Sequence, residues 1–320
     1  MPTLLLRRSQ VRALLDPAEL LPRLREGFIA HSRGSVARAQ RVRSDLPGPG
    51  TATVLFPGSV PGSPIYTVKV HAKFPAQRPA IRGVLCVHSS ETGELLAVMD
   101  STHLTGVRTG LSGALAAHAL ARPDASSVAV IGCGEQGRHQ LTALAAMRPI
   151  RAVHAYDVAD DARRAYCEEM SRTLQIPVTP AGSPAMALSN ADIALVATWA
   201  RTPVITAGMV RPGTHVTTLG ADEPGKAEVS RELIESSAFF CDDRALAIEM
   251  GALGGVGLPI SAVSAELGEV LAGDHPGRAS PEEITIFGGV GLAFQDAACA
   301  SAIYASALEL GSDEKMDFLA

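Results

Sequence analysis

Residues 128–141 read VAVIGCGEQGRHQL. Four apolar residues, 128–131, run into Gly132, Gly134 and Gly137, and a stretch of helical composition follows. A chain with 30 Gly can offer this spacing by chance, so the surroundings decide. The apolar run predicts a strand and residues 135–147 a helix. The next strand-like run, AVHAYD (152–157), ends at Asp157, 20 residues after Gly137. That spacing matches the acidic residue that holds the adenosine ribose hydroxyls in dinucleotide-binding folds. Each glycine then has a task. Gly132 permits the tight turn, Gly134 lets backbone approach a pyrophosphate, and Gly137 lets the helix pack on the strand. The helix N-terminus presents its free amides to the phosphates.

Outward from this loop the rhythm continues. ADIALVAT, THVTTLG, AFFCDD and EITIFGG are strand-like and alternate with helical stretches. Such alternation predicts a parallel sheet with helices on its faces. The fold class is therefore α/β: a Rossmann doubly wound parallel sheet plus an α+β domain.

Before residue 100 the pattern differs. Asp16-Pro17 is an N-cap followed by proline at the first helical position, ahead of Leu20, Leu21, Leu24 and Phe28. PIYTVKVHAKF (64–74) alternates, with Thr67, Lys69, His71 and Lys73 on one face and Tyr66, Val68, Val70 and Ala72 on the other. GVLCVHSSETGELLAVMD (83–100) reads as two strands about a turn at Glu91-Thr92-Gly93. Residues 101–121 then form a Gly/Ala-rich helix, capped by Ser101 or Thr102, whose small residues allow close approach.

Composition narrows the function. The chain has 320 residues, 47% hydrophobic and 19% charged, with a net charge of -5. That is a globular chain with no basic footprint for nucleic acid. Five scattered cysteines without a C-x-x-C pair fit free thiols rather than a metal centre or a disulfide framework. The N-terminal apolar run of three leucines is too short for a signal peptide, and no stretch is long and apolar enough for a membrane span. A cytoplasmic location without metal or membrane attachment is expected.

Five segments in order, YTVKVHAKFP, ETGELLAVMDSTHLTGVRTGLSGALAAHALARPD, VAVIGCGEQGRHQL, LGADEPGKAEV and ITIFGGVGLAFQDAA, resemble the ornithine cyclodeaminase/mu-crystallin family. That family includes cyclodeaminases, ketimine reductases and some alanine dehydrogenases. The resemblance implies a two-domain subunit, residues 122–292 forming the Rossmann domain and 1–121 with 293–320 a domain for substrate binding and dimerisation, and a homodimer formed through the N-terminal sheet. It also implies roles for particular residues. Lys69, in TVKV, and Arg108, in GVRTG, would hold a substrate carboxylate, the anion that a guanidinium matches best. Arg43, in AQRVRS, matches a further carboxylate-binding arginine, with Arg41 two residues away on the same predicted face. Asp222, in LGADEPGK, matches an acidic residue near the nicotinamide and would manage the proton on the amine nitrogen. Taken alone, Lys69 reads as a solvated charge and Asp222 as a turn aspartate before Pro224-Gly225.

Cofactor contacts are expected from Gly132, Gly134, Glu135, Gln136, Gly137, Asp157 and Thr198. Asp157 favours NAD(H), since its carboxylate repels a 2′-phosphate. Arg163 and Arg164 nearby leave NADP(H) open. The substrate is a small carboxylate-bearing amino or imino acid. The first reading is an oxidoreductase acting at its C–N bond by hydride transfer, as an imine or ketimine reductase or an amino-acid dehydrogenase. An ammonia lyase of the ornithine or lysine cyclodeaminase type, recycling NAD in place, is the second. A non-catalytic binding protein like mu-crystallin is the third. Two departures weigh against ornithine: Val54, where a glutamate is expected to meet the distal ammonium, and Gly288-Gly289 in FGGVG, expected to open space near the nicotinamide.

Overall fold

The computed structural model describes residues 2–36, 41–311 and 314–318. The chain divides into two compact units, Met1–Arg108 with Leu292–Ala320, and Thr109–Gly291. No helix among the described residues is long and apolar enough to cross a membrane.

The first unit is built on a seven-stranded sheet. Its strands are β1 (Thr3–Leu6), β2 (Val42–Asp45), β3 (Ala52–Ser59), β4 (Ile65–Lys73), β5 (Ile81–Ser89), β6 (Leu95–Asp100) and the short Lys315–Met316. The spatial order is Lys315–Met316, β1, β6, β5, β4, β3, β2. All neighbours are antiparallel except β1 and β6. The leucine run at the N-terminus is thus strand β1, seated beside β6. The β5–β6 turn closes through Ser89 N–H donating to Glu94 O at 2.9 Å.

Two helices, Arg8–Leu14 and Pro17–Ser32, follow β1. Asp16 caps the second by accepting from Ala18 N–H at 2.8 Å. Its buried Leu20, Leu24 and Phe28 recur every four residues along one face. The C-terminal helix Ala293–Glu309 packs on β3, β4 and helix Pro17–Ser32. Phe294 there meets Phe28 edge-on at 5.2 Å. Gly27 makes this possible, since a Cβ would lie 2.3 Å from the Phe294 ring.

Strand β4 is inverted relative to an ordinary amphipathic strand. Its polar residues Thr67, Lys69, His71 and Lys73 are all buried, whereas Val70 is 38% exposed. The solvated-charge alternative for Lys69 therefore fails: its side chain points into the protein.

Helix Ser101–Leu120 follows β6. Its cap is Asp100 rather than Ser101 or Thr102: the Asp100 carboxylate accepts from His103 N–H at 3.1 Å. The helix starts one residue earlier than the capping pattern predicts, so both hydroxyl residues fall inside it. In the second unit its small residues allow close approach, as expected. A Cβ on Gly110 would stand 2.6 Å from His139 Cβ, and one on Gly113 would stand 3.0 Å from Gln140 Oε1.

The second unit carries an eight-stranded sheet of β7 (Ser127–Ile131), β8 (Ala152–Tyr156), β9 (Val178–Pro180), β10 (Ile193–Val196), β11 (His215–Thr218), β12 (Ala238–Cys241), β13 (Val263–Glu266) and β14 (Thr285–Gly288). The order is β13-β12-β14-β11-β10-β7-β8-β9, every pair parallel. From β7 the chain winds first through β8 to β9, then returns to β10 on the other side. The order reverses beside β7, and in open α/β sheets that is where the carboxyl ends of the strands leave a crevice for ligands. Strands β9 and β13, too short and polar to stand out in sequence, complete the two edges.

Candidate active site

In the first unit, three charged groups from distant elements meet. Lys69 of β4 is fully buried, and its Nζ lies 2.6 Å from Asp296 Oδ2. Arg108, 5% exposed, donates from Nε to Asp296 Oδ1 at 3.1 Å and from Nη1 to Gln295 Oε1 at 2.6 Å. One carboxylate in the first turn of helix Ala293–Glu309 therefore gathers both cations expected to hold a substrate carboxylate. Burial pulls the Lys69 ammonium down to about 7, against the attraction of Asp296, and Arg108 and Arg41 push it the same way. Burial opposes ionisation of Asp296, but Arg108 and Lys69 together hold its carboxyl below the usual range. Asp296 and Gln295 were not singled out from the sequence. Their one signal is an amide and a carboxylate inside the otherwise apolar run LAFQDAACA.

Arg41 and Arg43 separate. The Arg41 guanidinium sits over the Phe56 ring, 4.2 Å from its centroid, and the same ring lies 4.6 Å from Lys69 Nζ. Arg43 is paired with Val54 across the strands and forms an ion pair with Asp45 at 2.6 Å. Of the two arginines, the structure places Arg41 rather than Arg43 beside Lys69. Val54 is buried against Phe56 and Ala293, so an apolar wall stands at that position.

In the second unit, Gly132 has φ +102°, and a Cβ there would lie 2.3 Å from Ala197 O. A Cβ on Gly137 would lie 2.3 Å from Gly132 O, so only glycine lets the helix start this close to the turn. Gly134 differs: a Cβ there would meet nothing within 4 Å. It is the N-cap of helix Glu135–Met147, without a side-chain cap. Two anchors hold the intervening residue. Asp157 Oδ2 accepts from Cys133 N–H at 2.8 Å, and Arg138 donates to Cys133 O at 2.6 Å. Asp157 also accepts from Ala159 N–H at 2.9 Å. Glu135 is exposed, and the Gln136 side-chain oxygen is buried without a hydrogen bond. An open glycine at an uncapped helix N-terminus, with a carboxylate tied to the same loop, fits a dinucleotide. Arg163 and Arg164 both pair with Asp160, so the two cations that left a 2′-phosphate open are engaged elsewhere.

Thr198 lies just past β10. Its hydroxyl donates to Glu228 Oε1 at 2.8 Å. Glu228 also accepts from Thr218 Oγ1 at 2.6 Å and Gly220 N–H at 2.7 Å. This buried carboxylate, missed in the sequence, ties together the loops after β10 and β11. Asp222 follows in the second loop and pairs with Lys226 Nζ at 2.9 Å, while Lys226 stands over the Trp199 ring at 4.2 Å. Gly288 and Gly289 do not open space. A Cβ on Gly288 would meet the Phe239 ring at 2.6 Å, and one on Gly289 would meet Leu219 Cδ2 at 2.8 Å. Larger neighbours fill what the small residues leave. Among the described residues, no group of His, Cys, Asp and Glu could hold a metal ion.

A doubly wound parallel sheet with this glycine loop defines a dinucleotide-binding fold. The chain belongs to the ornithine cyclodeaminase/mu-crystallin family, whose model matches residues 1–311. It is 34% identical to the alanine dehydrogenase of Archaeoglobus fulgidus, the alignment covering 99% of each chain. Its structure resembles an archaeal alanine dehydrogenase dimer with bound NAD, at TM-score 0.93 and 32% identity over the full length of both chains. It also resembles the Δ1-pyrroline-2-carboxylate reductase of Thermococcus litoralis in complex with NADH and L-proline. There the TM-score is 0.92 and the identity 29%, covering 98% of this chain and all of that one.

Proposed function

We propose that the protein is an NAD(H)-dependent oxidoreductase acting at the C–N bond of an α-amino or α-imino acid. The observation that carries this reading is the convergence of Lys69 and Arg108 on Asp296, which fixes an ammonium and a guanidinium side by side. Such a pair suits a carboxylate, and nothing comparable is needed to stabilise a strand and a helix. The relatives bound to NAD or NADH support the cofactor assignment.

Gly132, Gly134 and Gly137 with the helix N-terminus would hold the pyrophosphate, and Asp157 the adenosine ribose. A nicotinamide bound there would supply the hydride for the imine carbon, or accept it in the reverse direction. Lys69 and Arg108 hold the substrate carboxylate and so fix the position of the α-carbon. Asp222, ion-paired with Lys226, delivers or removes the proton on nitrogen. Val54 provides no partner for a distal ammonium, which argues against the diamino acids that cyclodeaminases use.

We assign the exposed face of the first unit's sheet to a second copy of the chain. Val42, Leu55, Val70 and Val84 form one cross-strand row over β2–β5 and are 57%, 37%, 38% and 42% exposed. A contiguous apolar sheet face of this kind marks an interaction surface.

The test of activity is absorbance at 340 nm with NADH and a panel of cyclic and acyclic α-imino acids, beside ammonia release from ornithine and lysine with NAD. Imine-dependent NADH oxidation is expected. Ammonia release without net change in NADH would establish a cyclodeaminase instead, and tight NADH binding without either would leave a binding protein.

A further inference from the structure

His71 stands two residues beyond Lys69 on the buried face of β4. It is 5% exposed, and neither ring nitrogen has a hydrogen-bond partner. A buried imidazole with both polar atoms unmet is costly, and most such groups in folded proteins are satisfied. Its cross-strand neighbours cannot help. On one side is Val54, and on the other Gly83, where a Cβ would lie 2.7 Å from His71 Cβ. Phe56 packs against the ring at 5.3 Å between centroids. The sheet makes room for this side chain, and its cross-strand neighbours Val54 and Gly83 bring no side-chain donor or acceptor, so a partner for the nitrogens has to come from elsewhere.

The charges around His71 say what that is. Burial above all, and then Lys69, Lys73 and Arg108, oppose its protonation against the pull of Asp296, and together they bring it down to about 3. The imidazole is neutral and keeps one N–H to donate. An acceptor placed there sits in a positive field and is favoured if it is an anion. Lys73, 3% exposed, flanks the same place from the next inward position of β4. Residues two apart on one face of a strand stand about 6.6 Å from each other at Cα. A compact molecule with two anionic ends can therefore engage Lys69 at one end and His71 with Lys73 at the other.

We propose that the His71–Lys73 stretch recognises a second anionic group, so that the substrate is a dicarboxylic α-imino or α-amino acid. One carboxylate is held at Lys69 and Arg108, and the other accepts from the His71 N–H beside Lys73. This assignment rests on the oxidoreductase reading given above and names its substrate class.

The experiment compares two imines formed in solution from ammonia, one with oxaloacetate and one with pyruvate, by NADH oxidation. It uses the full chain and the variants His71→Leu and Lys73→Met. The dicarboxylic imine is expected to have the higher kcat/KM. The ratio of the two kcat/KM values should fall about 10–100-fold in each variant, as removal of a hydrogen bond to a charged group implies. Turnover of the pyruvate imine with an equal or higher kcat/KM, or a ratio unchanged by both variants, overturns the inference and leaves the oxidoreductase reading intact. If neither imine nor any cyclic one oxidises NADH, that reading fails, and calorimetry with succinate and propionate decides the site separately. Binding of succinate over propionate that is lost in His71→Leu upholds a two-anion site. Equal binding of the two overturns it.

Discussion

Burial pulls the Lys69 ammonium down to about 7, and Asp296, 2.6 Å away, keeps it from falling further. The balance has a sign that can be read. With the ammonium at about 7, its charged form is present below that pH and lost above it. If that charge holds the substrate carboxylate, kcat/KM falls as pH rises through about 7, because kcat/KM reports the free enzyme. Asp296 raises the Lys69 value, so Asp296→Asn moves the alkaline limb to lower pH, by about 1–3 units for loss of an opposite charge at contact. A pH–rate profile of the variant checks this. An unmoved limb would mean that another group sets it. The variant also leaves two buried cations short of a partner, at a cost of about 3–5 kcal/mol, so its thermal midpoint should drop. At this scale the sequence exposed Lys69 and Arg108 through the motifs around them. Asp296 was out of reach because it lies 227 residues from Lys69 and 188 from Arg108 along the chain. No spacing rule links such residues; only the packing of the C-terminal helix on β3 and β4 brings them together. His71 was visible as one of four polar residues on a face, but that the face turns inward was not, since alternation alone does not say which side meets water.

The glycine loop shows an element whose residues answer to different demands. Gly137 is required by packing, with the Gly132 carbonyl 2.3 Å from where its Cβ would be, whereas Gly134 borders open space. Alanine substitutions should separate the two. Gly137→Ala forces the helix off the turn and should lower stability by about 1–3 kcal/mol, as overpacking does. Gly134→Ala should leave the thermal midpoint of the free protein near that of the parent and weaken NADH binding on the order of tenfold, about 1.4 kcal/mol. Fluorescence titration with NADH beside thermal unfolding measures both. An unchanged NADH affinity in Gly134→Ala would show that the pyrophosphate does not approach this residue. The loop was legible because strand, glycines, helix and Asp157 follow one another within 30 residues (128–157). Its anchors were less so. Arg138 and Asp157 both clamp Cys133, a use of Asp157 that sequence spacing does not predict. The glycine pair at 288–289 misled for a related reason: a small side chain says nothing about which neighbour fills the space.

For the whole molecule, β4 carries the argument. Its polar face is buried and its apolar face is reached by water, the reverse of a strand lining a monomer's core. The inward face makes sense if it serves a charged ligand. The outward face makes sense if a second copy covers it, through a two-fold contact in which the same patch appears on both sides. The row Val42, Leu55, Val70, Val84 continues on the neighbouring register positions with Pro57, Val68, Cys86, Val98 and Leu5, so the patch runs from β1 to β2 without a charged residue in that second row. A single carboxylate at its middle should be enough to break it, since an unpaired charge buried in such an interface is strongly unfavourable. Val70→Asp points outward in the monomer and disturbs no core contact, so the chain should fold and sediment at the mass of one chain while the parent sediments at twice that mass. Sedimentation velocity over a range of concentrations measures it. A parent protein that is monomeric, or a Val70→Asp variant that remains dimeric, would mean that the exposed valines serve something other than a second copy. Circular dichroism of the variant separates dissociation from unfolding, because a monomer that keeps both sheets retains its spectrum.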